Sequence, residues 1–345
     1  MAVITVIGSG MMGSAIIFPA AENGNTIRIV GTPLDDAIIE HARETGEHLT
    51  LKRKMPSGIT YYKYTEFDEA LSGTDLLVSG VSSFGVDWFI SNVIPRIPES
   101  LPVLSVTKGM VNTGNGGLIS YPELYESKTD KKINFMAVGG PCTSYELADH
   151  DFSCVTFCGR DIESLRWARS LFECDYYHVS VSTDVRGVEC AVAMKNAYAL
   201  GVALAIGMSY EREGRELDHY NSQAAIFGQA VREMTKLLDI CGGDPSNLPL
   251  GVGDLYVTVY GGRTRKIGIL LGRGMSFDAA METLSGVTLE SIVISTRTAL
   301  AIRQRIELGK STASEFPLLL HIDELINGGA HVNVPWNAFE SEFVK

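Results

Sequence analysis

Within the first 24 residues an apolar run, AVITVIG, leads through SGMMG into a second apolar run of helical spacing, SAIIFPAAENG. This order constrains the fold more than any other feature. A buried strand that turns at once into a helix needs a second strand returning parallel to the first, and TIRIVGT at 26–32 supplies it. The turn carries Gly8, Gly10 and Gly13 at G-x-G-x-x-G spacing. Gly8 permits a tight turn, Gly10 lets the backbone approach a pyrophosphate, and Gly13 lets helix and strand pack closely. The helix N-terminus adds unpaired N–H groups and a favourable dipole for phosphates. A glycine-rich turn without a ligand is the alternative, and the position of the motif between strand and helix weighs against it.

Further strand-like runs follow at 75–81, 101–107, 134–140 and 153–159, separated in places by helical spacing as at 87–97 and 164–172. Strands alternating with helices predict a mostly parallel sheet covered on both faces. After about residue 185 the pattern is helical throughout, from Val185 to Met208, then 222–243, SFDAAMETL, LESIVISTRTALAIRQRIE and FPLLLHIDELING. The expected fold is therefore α/β: a Rossmann-type dinucleotide-binding domain over 1–187, then an all-helical substrate and catalytic domain over 188–345. With no long linker between them, the two are expected to pack directly and share a cleft.

A net charge of −12 argues against a nucleic-acid binder, because the phosphate backbone needs a basic face. The six cysteines form no C-x-x-C pair and no zinc spacing with the seven histidines, so they read as reduced thiols in a cytoplasmic protein without a metal. The N-terminus has no basic stretch before its apolar run and is not a secretory signal. The sequence GKST at 309–312 imitates the end of a P-loop, but Gln304 stands where the first glycine belongs.

The segment VECAVAMKNAYALGVALAIGM, 188–208, places Lys195 and Asn196 inside an apolar helix. As a membrane span it is weak, since a central lysine costs about 2.5–3.5 kcal/mol on insertion scales. A lysine buried in a soluble helix needs a partner or a task. Four other stretches carry unusual chemistry: SVTKGM with Lys108, the loop GGPCTSYELA, GVGDLYVT, and GGRTRK with Arg263 and Thr264.

In this order these stretches resemble the NAD(P)-dependent glycerol-3-phosphate dehydrogenases over essentially the whole chain. The GxGxMG turn matches at Gly8, Gly10 and Gly13. The S-K-G step looks like Thr107-Lys108-Gly109, and G-P-S-x-A-x-E looks like GPCTSYE at 140–146. The G-x-E-x-x-x-A-x-K-N helix matches Gly187, Glu189, Ala193, Lys195 and Asn196. The G-D-L-x-x-T motif matches Gly253, Asp254, Leu255 and Thr258, and V-E-G looks like Leu289-Glu290-Ser291. Departures stand at Cys142, Ser144, Val259, Thr264, Ser291 and the tail from Gly328 onward.

The resemblance implies interconversion of dihydroxyacetone phosphate and sn-glycerol 3-phosphate with NAD or NADP, in a homodimer. Lys195 would be the general acid and base, since a desolvated lysine exchanges its proton near neutral pH. Asp254 would orient it, and Lys108 would polarise the carbonyl or hold the substrate. Asn196, Thr258, Arg263 and Thr264 would bind the phosphate, Arg263 through its planar fork. The implied cofactor-binding set is Gly8, Ser9, Gly10, Met11, Met12 and Gly13, with Ser83 and Glu290. Cofactor preference stays open: the nearest carboxylates to the second strand are Asp35 and Asp36, neither cleanly at its tip, and Lys52, Arg53 and Lys54 could fold back nearby. Two other readings remain at this point. The chemistry could serve another phosphorylated hydroxyketone or a β-hydroxyacid, or the scaffold could bind nucleotide without catalysis, though a retained buried lysine argues against the last.

Overall fold

The computed structural model describes residues 1–284 and 289–339. The chain divides into two compact units, one of Met1–Lys108 with Tyr121–Glu189, the other of Gly109–Ser120 with Cys190–Lys345. Residues 340–345 of the atypical tail lie outside the described residues.

The first unit is built on an eight-stranded sheet. Its strands are β1 (Val3–Ile7), β2 (Thr26–Val30), β3 (Thr60–Tyr62), β4 (Leu76–Ser79) and β5 (Val103–Ser105), followed after the hairpin described below by β8 (Phe135–Gly139), β9 (Ser153–Cys158) and β10 (Tyr177–Ser182). Their order is β10-β9-β8-β5-β4-β1-β2-β3. All neighbours run parallel except β8 and β9. The buried strands are near-continuous apolar runs because both faces are covered: every residue of β4, β5 and β8 is buried.

The segment of helical spacing that ends at 24 forms two helices, Met11–Ala15 and Ile17–Glu22. Pro19 accounts for the interruption. It has no N–H to give the carbonyl four residues earlier, and its ring crowds that turn. The short strand β3 has only partly buried and exposed residues, so it shows no apolar run in the sequence. Strand β10 also escaped the sequence reading, since its last three residues are exposed or half-buried.

The second unit is helical, with one addition. A hairpin of β6 (Met110–Gly114) and β7 (Gly117–Ser120) belongs to it. Met110 and Leu118 are buried in its apolar core, which is why this hairpin, drawn from the middle of the α/β sequence, clusters with the helices. The continuous helix expected from Val185 is interrupted at Met194, giving Val185–Ala193 and Lys195–Glu213. By length and a mean hydropathy of 1.5, residues 185–213 could cross a membrane, but 89% of the apolar window is buried within the protein. It is a core helix. Lys195–Glu213 packs against Tyr220–Cys241, Leu248–Val259, Gly262–Gly272, Glu290–Glu307 and Pro317–Asn327. The imitation P-loop at 309–312 follows a helix that ends at Glu307, and Gly309 takes a left-handed turn there with φ +68°.

Candidate active site

The glycine turn takes the shape its sequence demands. Gly8 has φ +98°, and a Cβ on it would lie 2.9 Å from the Gly80 carbonyl carbon, so only glycine fits. A Cβ on Gly13 would lie 2.5 Å from the Gly8 carbonyl oxygen, so the first helical turn rests directly on the strand end. Gly10, by contrast, is not crowded: the nearest atom to a Cβ there is the Gly80 oxygen at 3.9 Å, ordinary contact distance. Gly10 is the N-cap of Met11–Ala15. Met11 and Met12 are half-buried, Ser9 is buried, and Ser83 is buried at the start of a short helical turn beyond β4. An unobstructed backbone at a helix N-terminus fits a dinucleotide pyrophosphate.

Two side chains outside the motif hold this turn. Asp35 Oδ2 accepts from the Ser9 N–H at 3.2 Å, and also from the N–H and hydroxyl of Thr32 at 2.8 and 2.9 Å. His48 Nε2 lies 2.7 Å from the Ser9 carbonyl oxygen. Burial holds the His48 pKa below its ordinary value, opposed by the hydrogen bond to Ser9 and the charge of Asp35. The basic loop at 52–54 therefore folds back toward the turn through His48. Within that loop Arg53 is paired with Asp149 at 2.5 Å. No sequence signal marks His48, which lies 39 residues from Ser9 in a loop without periodicity.

Lys108, at the end of the first segment of this unit, donates from Nζ to the Gly140 carbonyl at 2.6 Å. It thereby ties the T-K-G step to the glycine-proline loop. Glu189 is fully buried, and neither of its carboxyl oxygens has a hydrogen-bond partner among the described residues. Burial lifts its pKa to about 8, against the pull of the Lys108 charge and with a further push from Glu123. Burial thus favours the protonated form of Glu189, a property the motif match alone did not reveal.

In the helical unit Lys195 is the first residue of its helix and is 14% exposed. Its Nζ lies 2.5 Å from Oδ1 of Asp254, which is completely buried. The charged pair offsets the desolvation each partner suffers. The Thr258 hydroxyl donates to the Asp254 carbonyl oxygen at 2.7 Å, one turn along the same helix. Arg263 is exposed and Thr264 buried in the first turn of Gly262–Gly272. Asn196 is half-buried beside Lys195, and Glu290 half-buried at the start of Glu290–Glu307.

Helix register explains how distant motifs meet. A Cβ on Gly268 would press on the Leu200 carbonyl, and one on Gly272 on the Leu204 carbonyl. Equal four-residue steps mean that the two helices run parallel. Continued back by one turn, the same register would set Thr264 opposite Asn196. Gly251 approaches the Ala191 carbonyl in the same way, which brings Asp254 level with Lys195. Lys195 and Asn196 open Lys195–Glu213, and Arg263 and Thr264 lie in the first turn of Gly262–Gly272, whereas Asp254 is mid-helix and Thr258 near the C-terminal end of Leu248–Val259. Among the described residues no group of three or more His, Cys, Asp or Glu side chains is placed to hold a metal ion.

A dinucleotide turn in an α/β unit and a lysine–aspartate pair in a helical unit define a two-unit nicotinamide-dependent dehydrogenase. Comparison with known proteins gives the particular family. Residues 3–164 match the family profile for the NAD-dependent glycerol-3-phosphate dehydrogenase N-terminus, and 184–336 match that for its C-terminus. The chain belongs to the NAD-dependent glycerol-3-phosphate dehydrogenase family. It is 32% identical over 284 residues to the NADP(+)-dependent glycerol-3-phosphate dehydrogenase of Archaeoglobus fulgidus, covering 82% of this chain and 83% of that one. It is 27% identical to the glycerol-3-phosphate dehydrogenase [NAD(P)+] of Shouchella clausii, covering 88% and 87%. The fold is shared with the Plasmodium falciparum glycerol-3-phosphate dehydrogenase structure, at a TM-score of 0.83 and 18% identity over 100% of this chain and 96% of that one.

Proposed function

We propose that the protein interconverts dihydroxyacetone phosphate and sn-glycerol 3-phosphate by hydride transfer with NAD(P)(H), with Lys195 moving the proton. The observation that carries this reading is the Lys195–Asp254 pair at 2.5 Å. A nicotinamide cofactor held at the Gly8–Gly13 turn would supply or take up the hydride. Reduction leaves an alkoxide on the former carbonyl oxygen, and Lys195 Nζ delivers a proton to it; in the oxidative direction the neutral amine removes that proton. The buried carboxylate of Asp254 fixes the position of Nζ and balances its charge. The 14% exposure of Lys195 leaves a path for exchange with solvent.

Lys108 polarises the carbonyl or holds the substrate. Asn196, Thr258 and Thr264 bind the phosphate with Arg263, whose fork suits two of its oxygens. Holding this remote group orients the reacting carbon. Gly8, Ser9, Gly10, Met11, Met12 and Gly13 with Ser83 and Glu290 hold the cofactor. The α/β unit of Met1–Lys108 with Tyr121–Glu189 serves as the dinucleotide-binding domain, and the helical unit of Gly109–Ser120 with Cys190–Lys345 as the substrate domain. The reading extends to a soluble cytoplasmic homodimer: the compartment rests on six cysteines with no C-x-x-C pair or zinc spacing, and the dimer on family resemblance.

The test is initial rates with NADH and NADPH across a panel of phosphorylated ketones and β-ketoacids. Oxidation of either cofactor with dihydroxyacetone phosphate is expected. If that substrate is inert while another turns over, the departures at Cys142, Ser144 and Thr264 mark a different substrate.

A further inference from the structure

The loop that carries His48 is a tight turn closed on itself. The His48 N–H donates to the Arg53 carbonyl at 2.9 Å and the Lys52 N–H to the His48 carbonyl at 2.8 Å, with a bridge between Glu47 and Lys54. The imidazole sits inside this turn and is 2% exposed. Its Nδ1 faces two donors, the N–H groups of Leu51 at 3.0 Å and Thr50 at 3.3 Å. A nitrogen that accepts from N–H groups carries no proton, so the neutral ring is protonated on Nε2. Nε2–H therefore donates to the Ser9 carbonyl at 2.7 Å.

On the other side of Ser9, its N–H is held by Asp35 Oδ2 at 3.2 Å. Both peptide groups that flank Ser9 are thus pinned from outside the motif. In a trans peptide the carbonyl oxygen and the following N–H point in opposite directions. Holding the Ser9 oxygen toward His48 aims the Gly10 N–H away from that loop, and at Gly10 the backbone is not crowded. We propose that His48 is a positioning residue for the dinucleotide turn, clamping Ser9 together with Asp35 so that the backbone N–H groups at the helix start are set for a pyrophosphate before it arrives. The proposal rests on the dinucleotide reading of this turn.

The clamp is sensitive to acid. A proton on Nδ1 would face the Leu51 and Thr50 N–H groups and open the turn. The titratable groups facing the ring are Asp35, from the turn after β2, which favours the charged form, and His41, from the Asp36–Thr45 helix, which opposes it. Burial outweighs Asp35, so the neutral clamp is intact above the ordinary histidine range and is lost as pH falls through the lowered value.

Two substitutions separate the clamp from the turn that carries it. In His48→Asn the amide oxygen stands where Nδ1 was and keeps the turn, but the side chain is too short to reach Ser9. In His48→Gln the amide nitrogen reaches the position of Nε2. Dissociation constants for NADH, from quenching of intrinsic fluorescence, should rise roughly 3- to 10-fold in His48→Asn, the worth of one net hydrogen bond, and largely recover in His48→Gln. KM for dihydroxyacetone phosphate should not change. With NAD+ as an acid-stable probe, wild-type affinity should fall toward low pH and that of His48→Gln should not. A His48→Asn variant that binds like wild type, or a His48→Gln variant as weak as His48→Asn, overturns the clamp. Wild-type protein that binds neither NADH nor NADPH overturns the dinucleotide reading itself.

Discussion

Lys195→Ala is the perturbation that discriminates most sharply, because it acts on stability and on chemistry by separable routes. Asp254 is completely buried and its Oδ1 is 2.5 Å from Nζ. Removing the lysine strands a carboxylate in the core. Breaking a buried pair by deleting one partner costs about 3–5 kcal/mol, and the 14% exposure of Lys195 places the expectation near the lower end. For a unit of this size each kcal/mol is worth about 2–4 °C, so the melting temperature should drop by roughly 6–12 °C. Asp254→Ala should do comparable damage. The double variant should be much less than twice as damaged, because it leaves no charge uncompensated.

Catalysis should respond on a different scale. Loss of a positioned general acid costs about 10²–10⁴ in kcat, and the double variant should recover none of it. The assay is NADH oxidation at saturating dihydroxyacetone phosphate, normalised to folded protein by circular dichroism. Additive losses in melting temperature would refute the energetic coupling of the pair. A Lys195→Ala enzyme that keeps kcat within a few-fold of wild type would refute the proton role and leave the lysine structural.

Other residues offer independent tests. Glu189 has a folded-state pKa of about 8 against an ordinary 4.5, so the folded state binds more protons between those values and stability must fall as pH rises through that interval; Glu189→Gln should abolish this slope of a few kcal/mol in melting profiles taken from pH 5 to 9. Glu233 is fully buried and its carboxylate accepts from the Leu318 and Leu319 N–H groups at 2.7 and 2.9 Å, from Tyr198 at 3.0 Å and from Gln229 at 2.9 Å. Glu233→Ala strips the N-terminus of Pro317–Asn327 of its cap and should cost about 2–4 kcal/mol by thermal unfolding. Gly272→Ala would drive a Cβ into the Leu204 carbonyl. It should cost about 1–3 kcal/mol and raise KM for dihydroxyacetone phosphate, because the register that would set Thr264 opposite Asn196 shifts; an unchanged KM would separate the register from the phosphate site.

Much of the fold was legible because local chemistry dictated it. The strands at 3–7, 26–30, 76–79, 135–139 and 153–158 are apolar runs bounded by glycine or polar residues, and the structure places each within a residue or two of its sequence signal. What escaped was governed by contacts distant in sequence. Strand β3 is an edge strand with no apolar signature. The hairpin at 110–120 takes its place from Met110 and Leu118 entering the helical core. Pro19 was visible, yet the break it causes was read through because the flanking apolar spacing continues.

The site divides along the same line. The sequence by itself determined the glycine turn, since Gly8 and Gly13 answer to backbone geometry and close packing that no other residue satisfies, and it determined that a lysine inside VAMKNAYALG needs a partner. Only the tertiary structure decided that the partner is Asp254, 59 positions away. The same holds for His48 and Asp35 holding Ser9. The physical reason is that side-chain chemistry and backbone strain are local and can be read residue by residue. Pairing depends on which helices pack in which register, and that is set by carbonyl-to-glycine contacts such as Leu200 with Gly268 and Leu204 with Gly272, which leave no periodic trace in the chain.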